Sequence, residues 1–259
     1  MDYLTLGNCL IIFPMVFIAG FIDAVAGGGG LISLPGYFIA GLPAHMALGT
    51  NKLSSLMGTS VTTFMLARRG LVSFKSSLIL IAAAFAGSFS GARIALILSG
   101  DTLEIVMLIV LPCILVYLLS PRALKTTGQA DNSVKTIALC ALISLVVGVY
   151  DGMFGPGTGT FLIIAFTAIA HLPLARANGS AKAVNLATNI SAFIAFATGG
   201  SVIFIVGLIA GLFGIAGNFL GTRSFVKGGA RIARPVMIIV MLIFLIRIIR
   251  DLVIKYALI

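Results

Sequence analysis

Two acidic side chains interrupt long apolar stretches of the sequence and could carry a charge or a proton. Asp23 lies in GFIDAVAGGGGL, and Asp151 lies in GVYDGMFGPGTG. An ionised carboxylate is costly to bury in hydrocarbon, so acidic residues inside membrane segments are rare and usually functional. Buried carboxyl groups can exchange protons near neutral pH, which makes both residues candidates for proton coupling. The alternative is that each carboxylate only caps exposed amides of the turn that follows it.

A glycine-rich break follows each acidic residue by about one helical turn. The two breaks supply the candidate residues Gly27, Gly28, Gly29 and Gly30, then Gly155, Gly157, Thr158 and Gly159. Each break precedes a short apolar segment, so backbone N–H groups and the positive end of a helix dipole should face an internal cavity. Such a site binds an anion without a cationic side chain. The alternative is that the glycines only allow close helix packing.

Polar side chains on two longer segments could complete such a site. The first half supplies Thr50, Asn51 and Lys52, and the second half supplies Asn178, Lys182, Asn185 and Asn189. The second set is spaced four, three and four residues apart, which places it on one face of a helix that should line the interior. The two lysines could pair with an anion or with the two aspartates. They could also extend to a nearby membrane interface.

The same landmarks occur twice along the chain. Asp151 follows Asp23 by 128 positions, Lys182 follows Lys52 by 130, and the arginine of GNFLGTR follows that of GSFSGAR by 130. A chance match would not keep its spacing over three stretches. The sequence therefore predicts two repeats, 1–120 and 134–259, joined by a polar linker at 121–133. The glycines of each GxxxG pair, 87 and 91 or 217 and 221, predict a face for close helix packing.

Composition places these repeats in a membrane. Hydrophobic residues make up 60% of the chain and charged residues 9%, whereas soluble domains carry about 25% charged residues. Ten apolar segments lie at about 9–26, 31–41, 44–66, 74–98, 102–120, 134–153, 159–171, 174–197, 200–222 and 235–256. Segments 31–41 and 159–171 are too short to span, because a helix needs about 20 residues to cross a bilayer. We predict an all-α polytopic membrane protein with about eight full spans, each repeat containing a glycine-broken or re-entrant helix.

The distribution of charge predicts that the two repeats are inverted. The loop at 68–75 is basic and its counterpart at 198–201 is neutral, whereas 99–104 is acidic and its counterpart at 223–234 is basic. Equivalent loops with opposite charge bias should lie on opposite sides of the membrane. The linker, with Arg122, Lys125 and the adjacent Lys135, then falls on the cytoplasmic side.

Several other classes of function are not expected. The net charge is +10, but the basic residues lie between apolar runs, so we expect no nucleic-acid partner. Cys9, Cys113 and Cys140 lie inside apolar runs without metal-like spacing, so we expect no metal and no cofactor. HExxH and GxSxG motifs are absent from the sequence, and we do not expect an enzyme.

The glycine-rich stretch at 23–30, the following Pro35, the ALGTNK box at 47–52 and their degenerate second copy resemble the sulfite exporter TauE/SafE family of membrane transporters. The resemblance covers essentially the whole chain. It implies a multi-pass protein of the bacterial inner membrane that moves small anions, with sulfite, sulfoacetate and related organosulfur or carboxylated compounds as associated substrates. In the second copy Pro156 and Thr158 interrupt the glycines, and Ala181 replaces the asparagine.

Together these features predict a secondary transporter whose two glycine breaks meet at a central site for a small anion. The expected partners are that anion, the lipid bilayer and, in a homodimer, a second copy of the chain. A Na⁺-coupled or cation carrier remains an alternative, because carboxylates and unwound carbonyl groups also bind cations. A passive channel is a further alternative, because glycine breaks can line a pore.

Overall fold

A computed structural model describes residues 3–72, 74–98 and 133–228, together with the single positions 235, 239, 242, 246 and 250. Within the ranges 3–72, 74–98 and 133–228 the regular structure is helical. The helices are α1 (Leu6–Ala26), α2 (Gly30–Ile39), α3 (Ala44–Ala67), α4 (Phe74–Ala95), α5 (Val134–Met153), α6 (Thr158–Ala168), α7 (Leu174–Thr198) and α8 (Phe204–Gly228). The predicted all-α class is confirmed. The predicted segment at 102–120, most of 235–256 and nearly all of the linker lie outside the described residues.

Four of these helices are long and apolar enough to cross a membrane: α1, the part of α4 at Ser77–Ala95, α5 and α8. Helices α3 and α7 have 24 and 25 residues, which is enough length to cross. They are less apolar because they carry many buried polar side chains. Helices α2 and α6 have 10 and 11 residues, so the two segments predicted to be too short for a full span are short helices.

Local sequence explains where these helices begin and end. The side chain of Thr5 accepts a hydrogen bond from the Asn8 amide at the start of α1, and Ser133 does the same for Thr136 at the start of α5. Helix α1 ends at Gly27, whose φ of 83° is a left-handed conformation that glycine adopts without steric cost. Gly157, the residue before α6, has the same left-handed conformation, with φ 81°.

Close backbone contacts join the first half of the chain to the second. A Cβ atom built at Gly91 would lie 2.0 Å from the carbonyl oxygen of Val149, and one at Gly217 would lie 2.0 Å from that of Phe17. The other glycine of each GxxxG pair meets the same neighbouring helix at 2.3 Å. Only glycine fits at such distances, so the predicted close-packing faces are confirmed, between α4 and α5 and between α8 and α1.

The order of contacts gives the relative direction of packed helices. Along α3 and α8, Thr50 bonds to the Ile203 amide and Thr62 bonds to Asn218, so these helices run in parallel. In the GxxxG contacts the residue numbers of both partners also increase together, so α1 is parallel to α8 and α4 is parallel to α5. Gly179, near the start of α7, packs against Leu71 just before α4, and Gly199, just after α7, packs against Leu96 just after α4, so α4 and α7 are also parallel.

Helices α3 and α7 run in opposite directions. Gly49, near the start of α3, faces Phe196 near the end of α7, whereas Thr63 near the end of α3 bonds to the Lys182 carbonyl oxygen near the start of α7. It follows that α1, α3 and α8 point one way and α4, α5 and α7 point the other.

These directions place many positive charges at one end of the helix bundle. That end, called the basic end below, contains the last turn of α3 and the first turns of α5 and α7. Its basic residues are Arg68, Arg69, Lys135, Arg176, Arg223 and Lys227. Arg93, in the last turn of α4, lies at the opposite end.

Candidate functional site

The two glycine breaks touch each other in the middle of the protein. The Thr160 amide donates to the Gly27 carbonyl oxygen at 3.2 Å, and the Thr160 hydroxyl donates to the Ala26 carbonyl oxygen at 2.8 Å. A Cβ atom at Gly27 would lie 2.2 Å from the carbonyl carbon of Gly159. The absence of side chains at these positions therefore lets the two breaks approach to backbone contact.

A polar cavity lies beside this contact and offers about 40 Å³ to the centres of water-sized molecules. That volume holds about three such molecules. Both halves of the chain contribute to its wall. The lining residues are Val16, Ala19, Gly20, Asp23, Gly27, Gly29, Gly30, Ser33, Asn51, Lys52, Ser54, Ser55, Thr59, Asp151, Gly155, Gly159, Asn185, Asn189, Gly214 and Asn218.

Helix N-termini supply backbone donors to the cavity. The first N–H groups of a helix have no acceptor within that helix. In α2 the Leu31 amide donates to the Gly28 carbonyl oxygen, and the preceding residues Gly29 and Gly30 line the cavity. In α6 the amides of Thr158 and Thr160 have acceptors, and Gly159 between them lines the cavity. The positive ends of two short helices thus meet at one cavity.

Two ion pairs cross between the halves of the chain. The Lys52 Nζ atom donates to Asp151 Oδ2 at 2.8 Å and to the Asp151 carbonyl oxygen at 2.6 Å. Lys182 Nζ donates to Asp23 Oδ2 at 2.9 Å and also to the Asp23 carbonyl oxygen. Each lysine therefore pairs with the aspartate of the other repeat. Of the three alternatives for the lysines, the described structure shows pairing with the aspartates.

The two crossed pairs differ in exposure. The side chains of Lys52 and Asp151 are each 2% exposed, whereas Lys182 is 0% and Asp23 is 13% exposed. Lys52 lines the cavity, and Lys182 is not part of the wall. An ammonium group has three N–H donors, of which Lys52 uses two on Asp151. One donor of Lys52 is left for a bound molecule.

A hydrogen-bonded chain in the first half orients the Asn51 side chain. Ser33 Oγ donates to Asn51 Oδ1 at 2.6 Å, so the amide nitrogen of Asn51 is the group left to donate. Tyr37 donates from its hydroxyl to Ser54 Oγ at 2.8 Å, and Ser54 Oγ donates to the Asn51 carbonyl oxygen at 3.0 Å. All four residues are buried or nearly so.

The cavity gathers most of the residues that the sequence singled out. Those in its wall are Asp23, Gly27, Gly29, Gly30, Asn51, Lys52, Asp151, Gly155, Gly159 and Asn185. Those outside its wall are Gly28, Thr50, Gly157, Thr158 and Lys182. Thr50 accepts from the Ile203 amide at 3.0 Å, and Thr158 donates to the Gly155 carbonyl oxygen at 2.9 Å. The Thr158 hydroxyl thus serves the local backbone, whereas the Thr50 hydroxyl bonds to the backbone just before α8.

Other polar residues of the wall were not predicted. Ser55 and Thr59 precede Asn185 and Asn189 by 130 positions, so the repeat spacing could have identified them. Ser33 and Asn218 were also missed, because each is a single polar residue in an apolar segment. Ser54, in the polar stretch TNKLSS at 50–55, was missed as well. The buried Asn178 has no hydrogen-bond partner for either side-chain atom and, like Lys182, does not line the cavity, whereas Asn185 and Asn189 of the same predicted face do.

Comparison with known proteins identifies relatives over most of the chain. The family model described as "Sulfite exporter TauE/SafE" matches residues 12–248. The "Probable membrane transporter protein ORF9" of Sinorhizobium sp is 38% identical over 243 residues, covering 93% of this chain and 92% of the relative. The "Probable membrane transporter protein YfcA" of Escherichia coli (strain K12) is 36% identical over 233 residues, covering 89% and 85%. No solved structure matches the chain.

Proposed function

The chain belongs to the sulfite exporter TauE/SafE family and is a multi-pass membrane transporter, and on that premise we propose that it is a secondary permease for small anions. The observation that carries the proposal is the convergence of two short-helix N-termini and Lys52 on one small polar cavity. Sulfite, sulfoacetate and related organosulfur or carboxylate ions are the proposed substrates. The proposed location is the bacterial inner membrane.

The chemistry of the cavity wall suits an oxyanion. Donors come from the third N–H of Lys52, the side-chain amide of Asn51 and the backbone amides of Gly29, Gly30 and Gly159. Charge-assisted hydrogen bonds to an anion are about twice as strong as neutral ones. A volume of about 40 Å³ favours an ion of few atoms over a larger solute.

The proposed transport cycle uses two inverted repeats that rock against each other around this cavity. Support comes from the helix directions, since α1 and α5, α3 and α7, and α4 and α8 are equivalent helices that point in opposite directions. The positive-inside rule then assigns the basic end to the cytoplasm.

Charge balance supports coupling to protons. The site contains two lysines and two aspartates, which neutralise one another. Entry of an anion into this neutral, buried site would leave an uncompensated negative charge, and a proton taken up by Asp23 or Asp151 would cancel it. Replacing each aspartate by asparagine should therefore abolish flux driven by a pH gradient in a protein that still folds. Unchanged gradient dependence in both variants would contradict proton coupling.

A carrier of Na⁺ is less well supported by the site. Both aspartates of the cavity wall are bonded to lysines, and a cation at either carboxylate would lie beside an ammonium group. Repulsion between like charges at such a distance disfavours cation binding.

Ligand-induced thermal stabilisation tests the proposal directly. The purified protein would be heated with sulfite, sulfoacetate, taurine, sulfate, small carboxylates or Na⁺. A ligand present at a hundredfold excess over its dissociation constant stabilises the folded state by about 2.7 kcal/mol. We expect stabilisation by a sulfur oxyanion or carboxylate, lost in Lys52→Met and retained in the surface control Lys135→Met. Stabilisation by Na⁺ alone, or by nothing in the panel, would contradict the anion proposal.

A further inference from the structure

The two crossed ion pairs lie on opposite sides of the centre of the site. Thr59 and Asn189, which are equivalent residues of the two repeats, contact each other at 3.5 Å where α3 and α7 cross. Lys52 precedes Thr59 by seven residues, and Lys182 precedes Asn189 by seven. Because α3 and α7 run in opposite directions, the lysines lie about 10 Å from this contact on opposite sides of it. The Lys182–Asp23 pair is the one toward the basic end.

An apolar side chain lies near each ion pair. Leu66 follows Thr59 by seven residues on α3, toward the basic end, and Phe196 follows Asn189 by seven residues on α7, toward the opposite end. Both are 0% exposed. Each side of the cavity thus has one crossed ion pair and one buried apolar residue at about the same level. The ion pair and the apolar residue on one side are equivalent in sequence to those on the other side.

We propose that the crossed ion pairs are the two gates of the transporter, with Lys182–Asp23 closing the basic end and Lys52–Asp151 closing the opposite end. This inference rests on the proposed carrier function and specifies how access to the site alternates. Each pair joins one repeat to the other, so a rocking motion that opens one side must separate the pair on that side. The pair on the other side stays closed.

The burial of both pairs explains why they would open one at a time. Separating a buried ion pair leaves two uncompensated charges, and the penalty is largest where water is excluded. Opening one side admits water and substrate to that pair only. An anion that enters can then replace the aspartate as the partner of the freed lysine, so the substrate lowers the penalty of the open state. Differential binding of this kind is what lets a ligand shift a conformational equilibrium.

The two gates are not equally closed. Asp23 is 13% exposed and Asp151 only 2%. The gate at the basic end therefore opens more readily in the absence of substrate.

Accessibility of a thiol at the centre of the site tests the gates without any substrate. The full chain would carry Thr59→Cys in a background lacking Cys9, Cys113 and Cys140. A membrane-impermeant charged maleimide would be applied to right-side-out and to inside-out membrane vesicles. The equivalent variants Lys52→Gln and Lys182→Gln serve as matched controls for each other. Ser55→Cys provides a second reporter if Thr59→Cys is poorly folded.

Each gate variant should raise labelling from one face only. We expect Lys182→Gln to increase the labelling rate about tenfold in inside-out vesicles and Lys52→Gln in right-side-out vesicles. Such an increase corresponds to a change of about 1.4 kcal/mol in the closed-to-open equilibrium. The exchange Lys52→Asp with Asp151→Lys, which rebuilds a pair, should restore slow labelling. With both gates unmodified, the thiol should be labelled faster in inside-out vesicles than in right-side-out vesicles.

Three results would overturn the proposal. They are equal labelling of both variants from the same face, labelling unchanged by either variant, and failure of the charge exchange to restore slow labelling. Because no substrate is present, these results are independent of the thermal stabilisation panel. The gates can be disproved while anion binding stands, and anion binding can be disproved while the gates stand.

Discussion

The Lys52–Asp151 and Lys182–Asp23 pairs use the same chemical groups in different surroundings. Each lysine donates to a carboxylate oxygen and to the carbonyl oxygen of the same aspartate. Lys52 nevertheless lines the polar cavity, whereas Lys182 is shielded from it. The charged contacts are therefore the same in the two halves, whereas the environment of the lysine differs.

Three substitutions between the repeats account for that difference. The first half has Ser33, Asn51 and Ser54 near Lys52, and the positions equivalent to them in the second half are Phe161, Ala181 and Val184. The three polar residues form the hydrogen-bonded chain at the cavity wall. The three apolar residues belong to the buried cluster between α6, α7 and their neighbours. At these three positions the first half supplies polar side chains to the site, and the second half supplies apolar packing.

The largest difference between the halves should appear when one lysine is removed. Lys52→Met leaves Asp151 buried and unpaired, which costs about 3–5 kcal/mol of stability. Lys182→Met should cost less, because Asp23 is more exposed and can be hydrated. Denaturant unfolding in detergent compares the two variants. Adding Asp151→Asn to Lys52→Met should recover part of the loss, and equal costs for the two lysine variants would contradict the comparison.

A smaller effect is expected on the polar side of the site. Asn51→Ala removes one donor to the bound anion, and hydrogen bonds to charged groups contribute about 1.5–3 kcal/mol. We expect anion affinity measured by calorimetry to fall by about tenfold to a hundredfold. Ser60→Ala is the matched control, because Ser60 lies on the same helix and bonds only to the Leu56 carbonyl oxygen. Unchanged affinity in Asn51→Ala would remove that residue from the binding site.

The contact between the two breaks should tolerate no side chain on the second break. A Cβ atom at Gly159 would lie 2.6 Å from the Cα atom of Gly27, and overpacking of this kind costs about 1–3 kcal/mol. The equivalent position in the first half is Leu31, so only the second break has a glycine at this position. The midpoint of thermal unfolding should fall in Gly159→Ala. It should not fall in Gly7→Ala, where a Cβ atom meets nothing within 4 Å.

The smallest effect tests a place where the halves should behave alike. Thr5 and Ser133 are equivalent residues, and each caps the first turn of its helix. Replacing either by alanine should reduce stability by about 1 kcal/mol, the usual contribution of an N-cap. Unfolding free energies of the two variants should agree closely. A clear difference would show that the ends of α1 and α5 have diverged as the site has.

The sequence predicted those features that depend on spacing and on the absence of side chains. It predicted that the GxxxG pairs form close-packing faces and that the segments at 31–41 and 159–171 are too short for a full span. Three alternatives for Lys52 stayed open, namely an anion, an aspartate or the membrane interface. Spacing within one repeat does not show that the partner of a residue lies in the other repeat. Ser33 was missed because a single polar residue in an apolar run has no periodicity that reveals its direction. Thr50 and Thr158 lie outside the cavity wall, and their hydroxyl groups bond to backbone groups, so their place in the binding site stays a prediction.

The crossing of the two ion pairs has a consequence for the origin of the protein. Neither half can neutralise its own lysine, because the aspartate in contact with that lysine is encoded in the other half. A single ancestral unit with these residues would have carried a buried, unpaired ammonium group. If the two halves are the inverted repeats proposed above, such units would pair as two identical chains inserted in opposite orientations, each supplying the carboxylate that the other required. Gene duplication and fusion would then have joined an existing mutual dependence into one polypeptide, and the two copies became free to specialise.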